Sequence, residues 1–302
     1  MAIDKEFYNE ASASKLGWLP SWFIPGYTLF DKKLTSAIKS FQKEMGLLDD
    51  GMCGPTTYRR ILAKVESERP FVGLSWEPTS SDVLWHNNQP IKINWPAEKV
   101  HTFKDEAFPF AISEGLTKKS KPRKIKSFVA HWDVCLSSSS CADVLKNRNV
   151  SVHFMIDNNG DIIQLHDIND ACWHAGVGTV NENSVGVEIS NAYYTKYQDW
   201  YIKNGFGPRP IITDAKINGK SLDEHLGFYD IQLRALSALM QAIHSACGIP
   251  YIVPEKQDYY SPETTKASWQ GFMNHFNCSD KKIDCGGYNL SEYFLGDSND
   301  NK

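Results

Sequence analysis

Nowhere in the 302 residues is there an uninterrupted apolar run of the roughly 18 to 20 residues that a membrane-spanning helix needs, so insertion into a bilayer is not expected. The opening stretch, MAIDKEFYNEASASK, has neither the basic start nor the apolar core of a secretory leader. The expectation is therefore synthesis in the cytoplasm without a signal peptide. A basic excess is missing as well. With 32 Lys and Arg against 36 Asp and Glu, the formal net charge is −4, and no global field argues for nucleic acid. The one local exception, Lys118, Lys119, Lys121, Arg123, Lys124 and Lys126, reads as a solvated loop ahead of a strand. Seven cysteines is an odd number, which excludes a complete disulfide framework and leaves at least one sulfur free, metal-bound or paired between chains.

What is present is enough for a sizeable core. Hydrophobic residues make up 41% of the chain, and its length fits one large domain with a small one. In the N-terminal part, Leu34, Ile38, Phe41 and Met45 recur at helical spacing and stop at Gly46. After the turn LLDDGMCG, Pro55 opens a second helix carrying Tyr58, Ile61 and Leu62. Residues 1–66 are expected to be a small helical domain, 67–90 a polar, proline-containing linker, and 91–302 the main domain. In that domain VSVHFMI is a period-2 strand, Asn159-Gly160 a hairpin turn, and DIIQL the returning strand. SVGVEIS is a further apolar strand. Leu233, Leu236, Met240, Ile243 and Cys247 form a helix stripe before Gly248 and Pro250. The fold class expected is α/β, a mixed central sheet flanked by helices and preceded by the small helical domain. The Tyr-, Gly- and Pro-rich stretch from Tyr193 to Leu226 is expected to be irregular surface beside the cleft.

The strand IKSFVAHW stops on His131, a usual place for a sheet protein to present a functional side chain, and far downstream stand His275 and Cys285 in HFNCSDKKIDCGG. Two histidines and a thiolate with a fourth position open are what a hydrolytic zinc centre requires. A histidine alone would mean little. Between these ends lie CWHAG at 172–176 and NSVGVEIS at 183–190, and in that order the four segments resemble the zinc N-acetylmuramoyl-L-alanine amidases, whose fold also serves the peptidoglycan-recognition proteins. The resemblance covers about 124–295. A second one, carried by FQKEMGL, then DDG, then GPTTY, covers about 5–65 and is to the three-helix peptidoglycan-binding module.

The resemblance implies zinc as cofactor, with His131 and His275 as ligands and either Asp284 or Cys285 as the third. In the family an apolar residue follows the third ligand by five positions. Counting from Cys285 gives Leu290 and from Asp284 gives Asn289, which favours Cys285. Gly286 stands where the family usually has proline. Glu188 occupies the place of one branch's general base, while Val152 stands where another branch carries a catalytic tyrosine. Trp173 and His174 are implied to line the substrate cleft, His174 as a donor to the developing oxyanion. Lys282 lies one step before the family's lysine position and would steady the same charge. Cys135 and Cys141 match a pair that is bridged in the peptidoglycan-recognition proteins. Together these imply a monomeric amidase of bacterial peptidoglycan, acting on the cell wall as a phage endolysin or an exported lysin. A non-catalytic peptidoglycan receptor and a zinc endopeptidase of the stem peptide are the rivals.

Overall fold

The computed structural model describes residues 3–71 and 81–294; part of the expected linker, 72–80, lies outside the described residues. Helix α1 (Lys5–Leu16) begins where the Asp4 carboxylate accepts from the N–H groups of Glu6 and Phe7, and it stops at Gly17 in the left-handed conformation. Asp31 caps α2 (Lys32–Glu44) in the same way. The expected stripe of Leu34, Ile38, Phe41 and Met45 is buried. Pro55 opens α3 (Pro55–Ser67), where a missing N–H leaves no helical bond unmade. The turn between α2 and α3 is tied down by Gln42, which donates to Thr57 Oγ1 and the Met52 carbonyl and accepts from the Gly51 N–H.

These three helices are docked on the main domain. Leu16, Leu34, Ile38 and Tyr58 share a buried cluster with Cys141, Val144 and Leu145 of α4 (Ser138–Arg148). Asn147 Nδ2 donates to the Leu16 carbonyl at 3.3 Å and to Tyr58 Oη at 3.1 Å, and Arg60 Nε donates to Tyr194 Oη at 2.9 Å. At this seam Glu66 Oε2 accepts from Ser140 Oγ at 2.6 Å, and burial raises the Glu66 carboxyl to about 7. A carboxyl whose folded pKa exceeds its unfolded one loses stability as pH rises from the unfolded value through the folded one. Urea unfolding should therefore show wild type losing stability between pH 5 and pH 8, and Glu66→Gln losing less.

At the end of the expected linker Val83–His86 pairs with Gln89–Lys92, which crosses the expected boundary at 90. Asn87 and Asn88 turn the hairpin at φ 52° and 60°, the two positive values a tight hairpin needs. The central sheet has six strands, β1 (Val100–Thr102), β2 (Ser127–Trp132), β3 (Phe154–Ile156), β4 (Ile162–Gln164), β5 (Ser184–Ile189) and β6 (Gly271–Asn274), in the order β6-β2-β5-β3-β4-β1. Strands β3 and β4 form the expected antiparallel hairpin, turned at Gly160 with φ 83°. The other neighbours are parallel. Alternation divides the strands between two faces. Phe128, Ala130, Trp132, Val185, Val187 and Ile189 pack with the α7 (Asp230–Cys247) stripe of Leu236, Leu239, Met240 and Ile243. Met155 and Ile163 pack on the other side, against α4 and the N-terminal helices. The fold is thus the expected mixed sheet flanked by helices. No helix among the described residues is long and apolar enough to cross a membrane.

Two expectations fail here, each because burial overrides composition. The stretch from Tyr193 to Leu226 holds α6 (Gln198–Lys203) and has a core of its own, in which Tyr197, Trp200 and Tyr201 pack with Ala63 of α3. The basic loop is only partly solvated. Arg123 donates to the carbonyls of Ile168, Glu182 and Ser184, anchoring the loop to the start of β5, which follows α5 (Gly178–Asn183).

Candidate active site

Three parallel strands end at one edge of the sheet, and each delivers a polar side chain there. His131 of β2 is in register with Glu188 of β5. Beside them β6 ends at Asn274, whose N–H donates to Asn277 Oδ1 and whose Nδ2 donates to the Tyr288 carbonyl, and this holds the start of the short helix α8 (His275–Cys278) and its first residue, His275. Both His131 and Glu188 fall on the face turned away from α7, toward α4 and α3.

His131 Nδ1 lies 2.9 Å from His275 Nδ1 and 3.2 Å from Asp284 Oδ2, and His275 Nδ1 lies 2.9 Å from that same oxygen. Ligand atoms 2.0–2.1 Å from a tetrahedral ion stand about 3.3 Å apart, so this triangle has the size of one face of a zinc site. The outer partners fit too. His275 Nε2 donates to the Ala175 carbonyl at 3.1 Å, which leaves Nδ1 bare and facing inward. His131 Nε2 lies 2.9 Å from His174 Nδ1, and His174 Nε2 lies 3.1 Å from Ser184 Oγ; with both imidazoles protonated on Nε2, this chain leaves His131 Nδ1 bare. Burial, then the neighbouring His275, lowers His131 to about 4. Burial acts to raise Asp284, but His275 and His131 hold it well below the usual carboxylate range. A neutral His131 imidazole and an ionised Asp284 carboxylate are the protonation states that metal binding demands.

Around this centre lies a cleft of about 230 Å³ lined by Glu188, Trp173, His174 and Lys282, with Arg59 and Arg148. Glu188 is 7% exposed, its Oε2 has no partner, and burial raises its carboxyl to about 7. Trp173 stands 44% exposed at the mouth, an apolar face open to a ligand.

Residues 121–269 match the N-acetylmuramoyl-L-alanine amidase family. That segment is a member of the family. Residues 14–61, which hold α2 and most of α3, match a peptidoglycan-binding domain family. No curated protein matches the chain. Among solved structures it is similar to the Escherichia coli amidase AmiD in complex with anhydro-N-acetylmuramic acid-L-Ala-D-gamma-Glu-L-Lys, at 21% identity and TM-score 0.31, over 46% of this chain and 55% of that one. It is similar also to AmpDh3 of Pseudomonas aeruginosa in complex with an anhydromuramic pentapeptide (18%, TM-score 0.36, 59% and 61%). A third is the endolysin LysCS of Clostridium intestinale (14%, TM-score 0.31, 61% and 93%). The chain thus spans about half the length of the first of these.

The family match holds His131, Trp173, His174 and Glu188 but ends before His275, Lys282 and Asp284; three groups that could together hold a metal are His131, His275 and Asp284. Asp284 joins the two histidines; Cys285, which the spacing favours, does not. Cys285 is 1% exposed in the cluster that holds Phe228, Phe272 and Leu290, and burial pushes its thiol well up. The apolar spacing to Leu290 identifies the residue that packs into the core beneath the turn, and its neighbour is the one that faces the histidines. Cys135 and Cys141 are both free, buried thiols beside Asp133, so the bridge implied by the resemblance is not formed.

His174 also differs from its expected part. It reaches the cleft of the amidase domain, but both nitrogens are engaged by His131 and Ser184, which leaves no donor for an oxyanion. It stands instead behind the His131 imidazole. Space for its ring is made by Gly186, where a Cβ would lie 2.6 Å from His174 Nδ1. Gly186→Ala should displace that ring and weaken metal binding by about 10- to 100-fold, measured by competition with a chromogenic chelator.

Proposed function

We propose that this protein hydrolyses the amide between N-acetylmuramic acid and L-alanine in bacterial peptidoglycan, as a monomer, with zinc held by His131, His275 and Asp284. The observation that carries this reading is the convergence of two imidazole Nδ1 atoms and a carboxylate oxygen beside Glu188, whose Oε2 has no partner. Zinc in that position would acidify a water and polarise the scissile carbonyl. Glu188 accepts the proton of the attacking water as its oxygen bonds to the lactyl carbonyl carbon, and returns it to nitrogen as the C–N bond breaks. The products are a muramoyl carboxylic acid and a free L-alanine amino group. Lys282 offsets the negative charge on the tetrahedral carbon's oxygen. Trp173 offers its flat face to sugar or peptide.

A wall-binding domain joined to an amidase domain suits a lysin acting on whole cell wall, and an endolysin or exported lysin is the reading we favour. Digestion of purified wall tests the bond. New N-terminal L-alanine without new reducing sugar is the expected result, and new amino ends elsewhere in the stem peptide would mean an endopeptidase. A receptor without activity would release neither.

A further inference from the structure

The amidase cleft is not built from the amidase domain alone. Arg59, on α3 of the N-terminal helices, lines it together with His131, Glu188 and Asp284. An adjoining cavity of about 220 Å³ shares Arg59, Trp132, Arg148, Lys282 and Asp284 and continues along α3 to Pro55, Thr56 and Arg60. Cations therefore reach this one hollow from three separate segments: α3, the end of α4 and the loop before Asp284. Glu188 answers part of this charge across the hollow, but no carboxylate among the described residues is in contact with any of the three. Among the described residues, Arg59, Arg148 and Lys282 form no salt bridge, and Arg59 Nε is buried without a hydrogen-bond partner. The carboxylates in the hollow are Asp284, engaged with the histidines, and Glu188. Unpaired cations held in a partly dehydrated cavity call for an anion brought by the ligand.

We propose that Arg59 of the N-terminal helices, with Arg148, forms a carboxylate subsite contiguous with the metal centre, which takes a free carboxylate of the stem peptide. The inference rests on the amidase reading and deepens it. A guanidinium fork matches a carboxylate in two parallel hydrogen bonds, so Arg59 selects for an acidic group near the scissile amide. A γ-linked glutamate in the second peptide position presents such a group as its α-carboxylate, and amidation removes the charge while keeping the shape. In this arrangement the wall-binding domain positions the substrate as well as gripping the wall.

The test uses the full-length zinc-loaded protein and two muramoyl tripeptides identical except for an α-carboxylate or an α-amide on the second residue. Wild type should favour the carboxylate by about tenfold or more in kcat/KM. Arg59→Met should lower kcat/KM on the carboxylate substrate about 10- to 100-fold more than on the amide, chiefly through KM, with Arg59→Lys recovering part of the preference. Arg148→Met should show the same selective loss, so the test does not depend on one variant folding. Equal losses on both substrates, or cleavage of both by wild type without preference, would overturn the subsite while leaving the amidase reading standing. Cleavage of neither by wild type would overturn the amidase reading and the subsite with it.

Discussion

Asp284→Ala should give a folded protein that holds no zinc after dialysis and has lost lytic activity by about a thousandfold or more. The carboxylate is one of three groups that meet at the metal position, and its removal leaves two imidazoles, too few for a tetrahedral site that also keeps a place for water. It also removes the anion that stands 2.9 Å from His275 Nδ1 and 3.2 Å from His131 Nδ1. Cys285→Ser is the matched control. It places a hydroxyl among Phe228, Phe272 and Leu290, where a lone polar group costs about 1 to 3 kcal/mol of stability, but it leaves the metal-facing atoms in place. Elemental analysis and wall lysis on the same two preparations separate the residues. Zinc retained by the Asp284 variant and lost from the Cys285 variant would reverse the assignment.

Glu188→Gln should lower kcat by about 100- to 10,000-fold while zinc content stays at the wild-type level. The amide keeps the size of the side chain and cannot take a proton. Burial raises the Glu188 carboxyl to about 7 and a neighbouring zinc would draw it down from there; since a general base works only when ionised, the wild-type rate should climb as pH rises from acid toward neutrality. The residual rate of the Gln variant should be free of that limb. An unchanged pH profile in the variant would assign the titration to another group. A parallel loss of zinc would mean that Glu188 binds metal instead of moving protons.

Much of the fold could be read from periodicity because local rules and burial agree there. The α2 stripe, Pro55 at the start of α3, the Asn159-Gly160 hairpin and the α7 stripe each satisfy a local requirement that the tertiary structure also uses. The site was legible as far as residues that end strands: His131 and Glu188 are in register, and His275 follows β6 directly. Past the strand ends the reading weakened. Between Asp284 and Cys285, composition cannot say which neighbour turns inward, since both are buried, one against histidines and the other against aromatic rings. His174 read as a cleft donor because nothing in CWHAG reveals that Ser184 and His131 take both its nitrogens. Gly186 is the signal that was there, a glycine inside an apolar strand, which marks a close approach by another group. Arg59 had no such signal. It lies more than seventy residues before His131 in another domain, and only the docking of α3 against α4 brings it to the cleft.

The central claim is a metal held by two imidazoles and a carboxylate, and zinc X-ray absorption on the wild-type protein examines that ligand set directly. The account predicts a first shell of nitrogen and oxygen at about 2.0–2.1 Å with no sulfur path; a Zn–S scatterer near 2.3 Å would contradict it.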